Sequence, residues 1–246
     1  MKVLFAGPSL FGQQFDAAGI DSRPPARQGD IHRAVRDGAG AIGLIDGVFG
    51  FVPSVWHKEI LFALQQGVRV LGGASLGALR AAECAPFGME PVGGIARAYL
   101  DGERIDDADV CLAHCPAELD FMPLSEPLVD AEASIANLEA QGRIDRDMAA
   151  RLLAAARQLY FADRTVEAML ERAGLPAALA AGYRECRVGV KARDALELVA
   201  RLRALPEGRG TPPMGWQFRS SDPWRAYLAM LGEPTAERTD LRTKQE

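Results

Sequence analysis

The sequence predicts an α/β fold, with an N-terminal parallel sheet flanked by helices and a mainly helical C-terminal half. Two observations support this prediction. Up to about residue 123, short apolar runs alternate with helical stretches, and near-continuous apolar strands are typical of parallel sheets that are covered on both faces. From residue 124 onward, Leu, Ala and Ile recur at helical spacing without a convincing strand.

The N-terminal half is predicted to contain four strands, of which the last is the weakest: residues 3–6, 41–45, 68–71 and 110–113. Predicted helices occupy residues 30–37, 54–66 and 75–84 between them. The C-terminal half is predicted to form helices over residues 125–141, 145–160, 164–173 and 191–205. Gly142 fits a turn between two of these helices, and Asp145 fits the N-cap of the second.

This pattern divides the chain into three parts. Residues 1–123 form the α/β core, residues 124–205 form a helical region that packs on the core, and residues 206–246 form a connector and a tail. The tail is expected to expose Trp216, Phe218 and Trp224, and its charged end, residues 238–246, is expected to be disordered.

Composition excludes several classes of function. The chain has 246 residues, 48% of them hydrophobic, and a net charge of −5, which argues against a nucleic-acid partner. No apolar run reaches the roughly 18 residues that span a bilayer, so no membrane partner is expected. The first residues lack the apolar segment of a signal peptide, and four cysteines are too few for a disulfide framework. We therefore expect a cytoplasmic protein.

Cys111, His114 and Cys115 are grouped, but the spacing of the two cysteines is not that of a usual zinc or redox site. A structural role is favoured over zinc binding. Neither a metal nor an organic cofactor is expected.

The segment 73–77 has the spacing G-x-S-x-G and connects a predicted strand to a predicted helix. This is the arrangement of a nucleophile elbow, in which a tight turn exposes the serine, here Ser75. The N–H groups of Leu76 and Gly77, at the start of the helix, could hold an oxyanion. The alternative is that Ser75 is only the N-cap of that helix.

A serine nucleophile needs a base. The chain order of an α/β-hydrolase is Ser–acid–His, and only His114 of the three histidines follows Ser75. The whole segment is far shorter than that fold requires, so a Ser-His-Asp hydrolase fits poorly. Lys58, on the apolar predicted helix 54–66, is a better candidate, because a Lys in apolar surroundings can lose its proton. His57 and Glu59 flank it, and at least one of the three should face a protected site. The alternative is that Lys58 faces solvent.

Two further turns follow predicted strands, at the edge where open α/β sheets place their sites. Asp46 could cap the next element or orient Lys58 or His57. Ser9, in the turn Gly7–Pro8–Ser9, could help to line an oxyanion pocket. For both positions, an ordinary turn is the other interpretation.

These motifs, in order, resemble those of TfuA-like proteins, and the resemblance covers roughly residues 1–130. It rests on the two turns above, the run 52–60, the segment 73–83 that contains Ser75, and two shorter runs at 87–89 and 123–126. The resemblance implies a partnership with a YcaO protein, which activates backbone amides with ATP, in the thioamidation of a ribosomally made peptide.

The resemblance also implies an activity. TfuA-like proteins are associated with hydrolysis of the thiocarboxylated C-terminus of a ThiS-like sulfur carrier, which releases bisulfide for YcaO. The active site implied is a Ser–Lys pair, which falls on Ser75 and Lys58 in this sequence. We expect the two to lie within reach of each other at the carboxyl edge of the sheet. The alternatives are a non-catalytic scaffold that binds YcaO and the precursor peptide, and a serine hydrolase of another kind.

Overall fold

The computed structural model describes residues 1–48, 50 and 52–232. The chain divides into two compact units, Met1–Pro213 and Met214–Glu246. The first unit contains a five-stranded, fully parallel sheet in the order β2-β1-β3-β4-β5. Its strands are β1 Lys2–Phe5, β2 Ile20–Arg23, β3 Ala41–Leu44, β4 Arg69–Gly73 and β5 Glu90–Val92. The predicted α/β class and the parallel sheet are confirmed.

The strand order places a topological switch point between β1 and β3. The chain leaves β1 toward β2 on one side, then crosses back to β3 on the other side. Open α/β sheets of this order bind ligands in the crevice that the switch leaves at the carboxyl ends of the strands. In this chain, the residues that follow those two ends are the turn at 7–9 and Asp46.

Three of the four predicted strands are confirmed as β1, β3 and β4. The fourth prediction, residues 110–113, is wrong, because this run, buried only at Val110 and Cys111, belongs to no strand of the sheet. The two outer strands were not predicted. Strand β2 is half-exposed and polar, and β5 is only three residues long and contains Pro91, so neither carries an apolar run.

The described residues form ten α-helices. Their bounds are α1 Asp30–Arg36, α2 His57–Gln65, α3 Leu76–Cys84, α4 Gly93–Leu100, α5 Leu128–Ala140, α6 Arg146–Gln158, α7 Val166–Arg172, α8 Leu179–Glu185, α9 Val190–Ala204 and α10 Asp222–Met230. The seven predicted helices are all present. Helices α4, α8 and α10 were not predicted.

Helices cover both faces of the sheet. Successive strand residues point to opposite faces, and the two glycines that end β4 show which helix lies on each side. A Cβ on Gly72 would meet Gly77 and Ala81 of α3, whereas one on Gly73 would meet Leu198 of α9. Helix α2 contacts β4 and α3, and α9 crosses β1, β3, β4 and β5.

The helical half is built around its own apolar cluster. Helices α5, α6, α7 and α8 bury residues such as Ile135, Leu152 and Met169. Gly142, with a φ of 67°, lies in the turn between α5 and α6, as predicted. Asp145 caps α6 as predicted, since its carboxylate accepts the Met148 N–H at 2.8 Å.

The predicted connector, residues 206–215, is not a free linker over most of its length, because residues 206–213 belong to the first unit. Gly210 donates its N–H to the Gly67 carbonyl at 2.7 Å, and the Arg209 guanidinium donates to the Val35 carbonyl at 2.8 Å. The Arg69 guanidinium donates to the carbonyls of Pro206 and Gly208. These bonds join the segment to α1, to the turn after α2 and to the start of β4.

The second unit contains α10. Trp224 is buried rather than exposed, which corrects the expectation for the tail, and its ring contacts Phe218 and Tyr227. The charged end, residues 238–246, lies outside the described residues. None of the described helices has the length and apolar character to cross a membrane.

Candidate functional site

Ser75 lies at a sharp turn between β4 and α3. Its N–H donates to the Gly73 carbonyl at 2.7 Å, which closes a three-residue γ-turn centred on Ala74. Ala74 has a φ of 63°, a value that costs a non-glycine residue conformational energy. The Ser75 side chain makes no capping hydrogen bond to α3, so a capping role is not what it performs. The chain therefore turns sharply between β4 and α3, as the glycine spacing predicts, and the left-handed residue of the turn is Ala74.

Two glycines, Gly72 and Gly77, allow the backbone of α3 to lie in close contact with the backbone of the sheet. A Cβ on Gly77 would lie 1.7 Å from the Leu44 carbonyl oxygen, and one on Gly72 would lie 2.2 Å from the Gly77 oxygen. The Gly77 N–H donates to the Ile45 carbonyl at 3.0 Å. It is therefore already bound, and the prediction that Gly77 holds an oxyanion is wrong. The Leu76 N–H, in the first turn of α3, remains the candidate donor, because first-turn N–H groups have no partner within their helix.

Asp46 holds the turn that follows β1. It is buried, and its carboxylate accepts the N–H groups of Gly7 at 2.8 Å and Ser9 at 3.1 Å and the Ser9 hydroxyl at 2.7 Å. Ser9 therefore spends both its donors on Asp46, and its predicted role as an oxyanion donor is wrong. The described contacts of Asp46 tie β1 to β3 at the switch point.

A cavity of about 510 Å³ opens at this point of the sheet edge. Pro8, Asp46 and Ser75 line it from the α/β core. The run 110–114, the segment Tyr160–Ala162 and Lys191 line it from the chain that follows the sheet. The cavity thus brings together Ser75, Asp46, Cys111, His114 and Lys191.

The described lining does not include Lys58, His57 or Glu59. Lys58 is half-buried at the second position of α2, which begins at the carboxyl edge of the sheet, as predicted. His57 is half-exposed, and its Nε2 lies 2.7 Å from the Glu83 carboxylate of α3. Burial alone would raise the pKa of Glu83, but hydrogen bonds from His57 and Arg80 outweigh it and lower that pKa.

Glu59 is fully buried and has a structural role. One carboxylate oxygen accepts the N–H groups of Gly29 and His32 at the start of α1, at 2.9 and 3.3 Å. The other accepts the Trp56 N–H, at the N-cap of its own helix, at 3.3 Å. Glu59 therefore joins the N-termini of α1 and α2 instead of supporting Ser75 chemistry.

His114 reaches the cavity in a defined tautomer. Its Nδ1 lies 2.7 Å from the Cys115 carbonyl oxygen, which can only accept, so Nδ1 carries a proton. In the neutral ring, Nε2 then has a free lone pair and can act as a base. From the sequence, this histidine was set aside because the segment is far shorter than an α/β-hydrolase fold requires.

Cys111 is buried against the same cavity. Its thiol donates to the Asp107 carbonyl at 3.2 Å, and burial raises its pKa to about 12. Within the part of the chain that the structure describes, no three His, Cys, Asp or Glu side chains are grouped so that they could hold a metal ion. Cys111 is therefore a neutral, apolar part of the wall.

Lys191 was not among the predicted site residues. It lies on α9, far along the chain from Ser75, yet it is only 2% exposed and lines the same cavity. The sequence pattern marks Lys191 as a buried charge but does not show which cavity it borders. Lys191 lies four and seven positions before Ala195 and Leu198, which places a charged residue on the apolar stripe of a helix.

The fold and this cavity define an open α/β protein with a candidate ligand site at the switch point of its sheet. A family model described as TfuA-like protein matches residues 46–165. Residues 46–165 of this chain therefore form a TfuA-like domain. The matched segment contains Asp46, Ser75 and His114 but ends before Lys191. No curated protein matches the chain.

Proposed function

We propose that this protein hydrolyses the thiocarboxylated C-terminus of a ThiS-like sulfur carrier and supplies the sulfide to a YcaO enzyme. YcaO would use it in the cytoplasm to thioamidate a ribosomally made precursor peptide. One observation carries the proposal. Ser75 is held by a strained turn at the start of α3, makes no capping bond, and opens into a cavity at the switch point of the sheet.

The proposed reaction has two steps. In the first, the Ser75 oxygen bonds to the thiocarboxylate carbon, a base takes the hydroxyl proton, and the Leu76 N–H stabilises the oxyanion. The carbon–sulfur bond then breaks, and the proton leaves with sulfur as bisulfide. In the second, water attacks the acyl ester, frees Ser75 and leaves the carrier with a carboxylate. No redox partner is needed, because an oxygen atom from water takes the place of sulfur on the carbon and the oxidation state of that carbon does not change.

Two residues are candidates for the base. Lys58 follows from the family resemblance and remains a prediction, and the described cavity lining does not include it. His114 is supported by its place in the cavity and by the contact of its Nδ1 with the Cys115 carbonyl, which leaves Nε2 as the nitrogen that could accept a proton. Full loss of sulfide release in Lys58→Ala and Lys58→Arg, with activity kept in His114→Asn, would assign the base to Lys58. The reverse pattern would assign it to His114.

The proposed function is tested by thioamidation with two sources of sulfur. With the thiocarboxylated carrier as the source, the Ser75→Ala protein should fail to support YcaO. With free sulfide as the source, the same variant should give product at the wild-type rate, because the hydrolytic step has been bypassed. Full activity of Ser75→Ala with the carrier would contradict the proposal and favour the scaffold alternative. Failure with both sources would show that Ser75 serves complex formation instead.

A further inference from the structure

Lys191 is a buried cation with unused hydrogen-bonding capacity. Its Nζ donates to the Val110 carbonyl oxygen at 2.7 Å, and its backbone N–H donates to Asp130 at 2.9 Å. An ammonium group carries three donors, and Val110 takes one of them. The ion pairs found among the described residues include none to Lys191.

The neighbouring charged groups do not neutralise Lys191 at close range. Asp130 is buried, and burial raises its pKa although the Lys191 N–H and charge oppose that rise. The Asp46 carboxylate faces the same cavity, but Gly7 and Ser9 occupy its oxygens. Arg164, the other buried cation of this region, spends its donors on the carbonyls of Ala156, Glu126 and Leu159.

A buried ammonium with spare donors at a cavity wall is a site for an anion. Burying a charge without a partner is costly, and an anionic ligand offsets that cost through a charge-assisted hydrogen bond. The N-terminus of α3, at Ser75, adds a second source of positive potential to the same cavity. Both features favour a ligand whose charge lies next to the carbon that Ser75 would attack.

We propose that Lys191 binds the anionic sulfur or oxygen of the acyl terminus and makes the site selective for free thioacids and acids over neutral thioesters and amides. This inference rests on the proposed function and adds a specificity-determining residue to it. Because the product carboxylate carries the same charge as the thiocarboxylate, Lys191 also binds the product. Free carboxylate-terminated carrier is therefore expected to inhibit the reaction.

The kinetic test compares two small substrates, the thioacid of N-acetylglycylglycine and its neutral S-methyl thioester. Lys191→Met should lower kcat/KM for the thioacid by about 10- to 100-fold, the range of one charge-assisted bond. For the thioester, kcat/KM should change by less than about 3-fold, because that substrate has no charge for Lys191 to bind. Equal loss on both substrates would assign Lys191 a basic or structural role and overturn the inference.

Lys2→Met is the matched control. Lys2 is also buried, and its Nζ also donates to a backbone carbonyl, that of Arg203 at 2.6 Å, but it lies at the start of β1, on the opposite edge of the sheet. It should leave the ratio of the two kcat/KM values unchanged. A change in the ratio as large as that of Lys191→Met would also overturn the inference.

A binding test separates this inference from the proposed function, because it needs no turnover. Calorimetry on Ser75→Ala compares N-acetylglycylglycine with its C-terminal amide. The carboxylate should bind at least about 10-fold more tightly, and Ser75→Ala/Lys191→Gln should lose that preference. Equal affinity for the two ligands would refute the role of Lys191 even if hydrolysis is found. A carboxylate preference without hydrolysis would support Lys191 and refute the hydrolase.

Discussion

Ser75 is positioned by its backbone. The γ-turn at Ala74 and the start of α3 fix its place, and its hydroxyl makes no bond to the first turn of the helix. Thr165 and Asp145 behave differently at the starts of α7 and α6. The Thr165 hydroxyl accepts the Ala168 N–H at 3.1 Å, and the Asp145 carboxylate accepts the Met148 N–H at 2.8 Å. Thr165 and Asp145 therefore make the capping bond that the Ser75 side chain lacks.

This contrast predicts how alanine substitutions affect stability. Ser75→Ala should change the free energy of unfolding by less than about 0.5 kcal/mol, because no capping bond is lost. Thr165→Ala should lower it by about 1 kcal/mol, the usual cost of losing an N-cap. Urea denaturation followed by circular dichroism measures both. A loss for Ser75→Ala as large as that for Thr165→Ala would restore the interpretation of Ser75 as an N-cap.

At the residue level, the sequence predicted the turn at Ser75, because glycine spacing between a strand and a helix has local causes. It did not predict where the donors of Ser9 and Gly77 are spent, since both bonds join segments far apart in the chain. Lys191 was missed for a similar reason. Its helix was predicted, but no local pattern shows that its buried face borders the Ser75 cavity.

At the level of elements, α3 can pack closely against β3 and β4 because two residues at the contact are glycines. Gly77 leaves room for the Leu44 carbonyl, and Gly72 leaves room for Gly77 itself. The resulting contact brings the N-terminus of α3 to the carboxyl edge of the sheet. The position of the Ser75 turn depends on this contact.

Gly77→Ala should therefore destabilise the protein by about 3 kcal/mol or more, because a Cβ 1.7 Å from the Leu44 oxygen forces backbone to move. Gly182→Ala is the control. Gly182 lies within α8 with open space around its missing Cβ, so alanine should stabilise the protein by about 0.5–1 kcal/mol through helix propensity. Thermal unfolding of both variants measures the difference. Equal melting temperatures would contradict the close-contact argument.

Apolar sequence patterns predicted the inner strands of the sheet but not its edge strands. The three inner strands, β1, β3 and β4, are nearly wholly buried and carry continuous apolar runs, so they were predicted. The edge strands β2 and β5 have one side unpaired and need no such run. The run 110–113 is apolar because it borders the cavity beside Lys191, and burial alone did not distinguish that place from a strand.

On the scale of the whole molecule, residues from both sides of the predicted boundary at residue 124 line the same cavity. The α/β core contributes Ser75 and Asp46 to the cavity, and the helical half contributes Tyr160 and Lys191. All four belong to the first compact unit. The helical half therefore supplies one wall of the cavity that Ser75 lines.

The most direct test of the central claim is sulfide release from a thiocarboxylated ThiS-like carrier in the absence of YcaO. The wild-type protein should release sulfide over many turnovers and leave the carrier with a terminal carboxylate, which mass spectrometry detects. Ser75→Ala, confirmed as folded, should lower the rate by about 10³-fold or more, as expected for the loss of a nucleophile. Release by Ser75→Ala at the wild-type rate, or no release above background by the wild-type protein, would contradict the account.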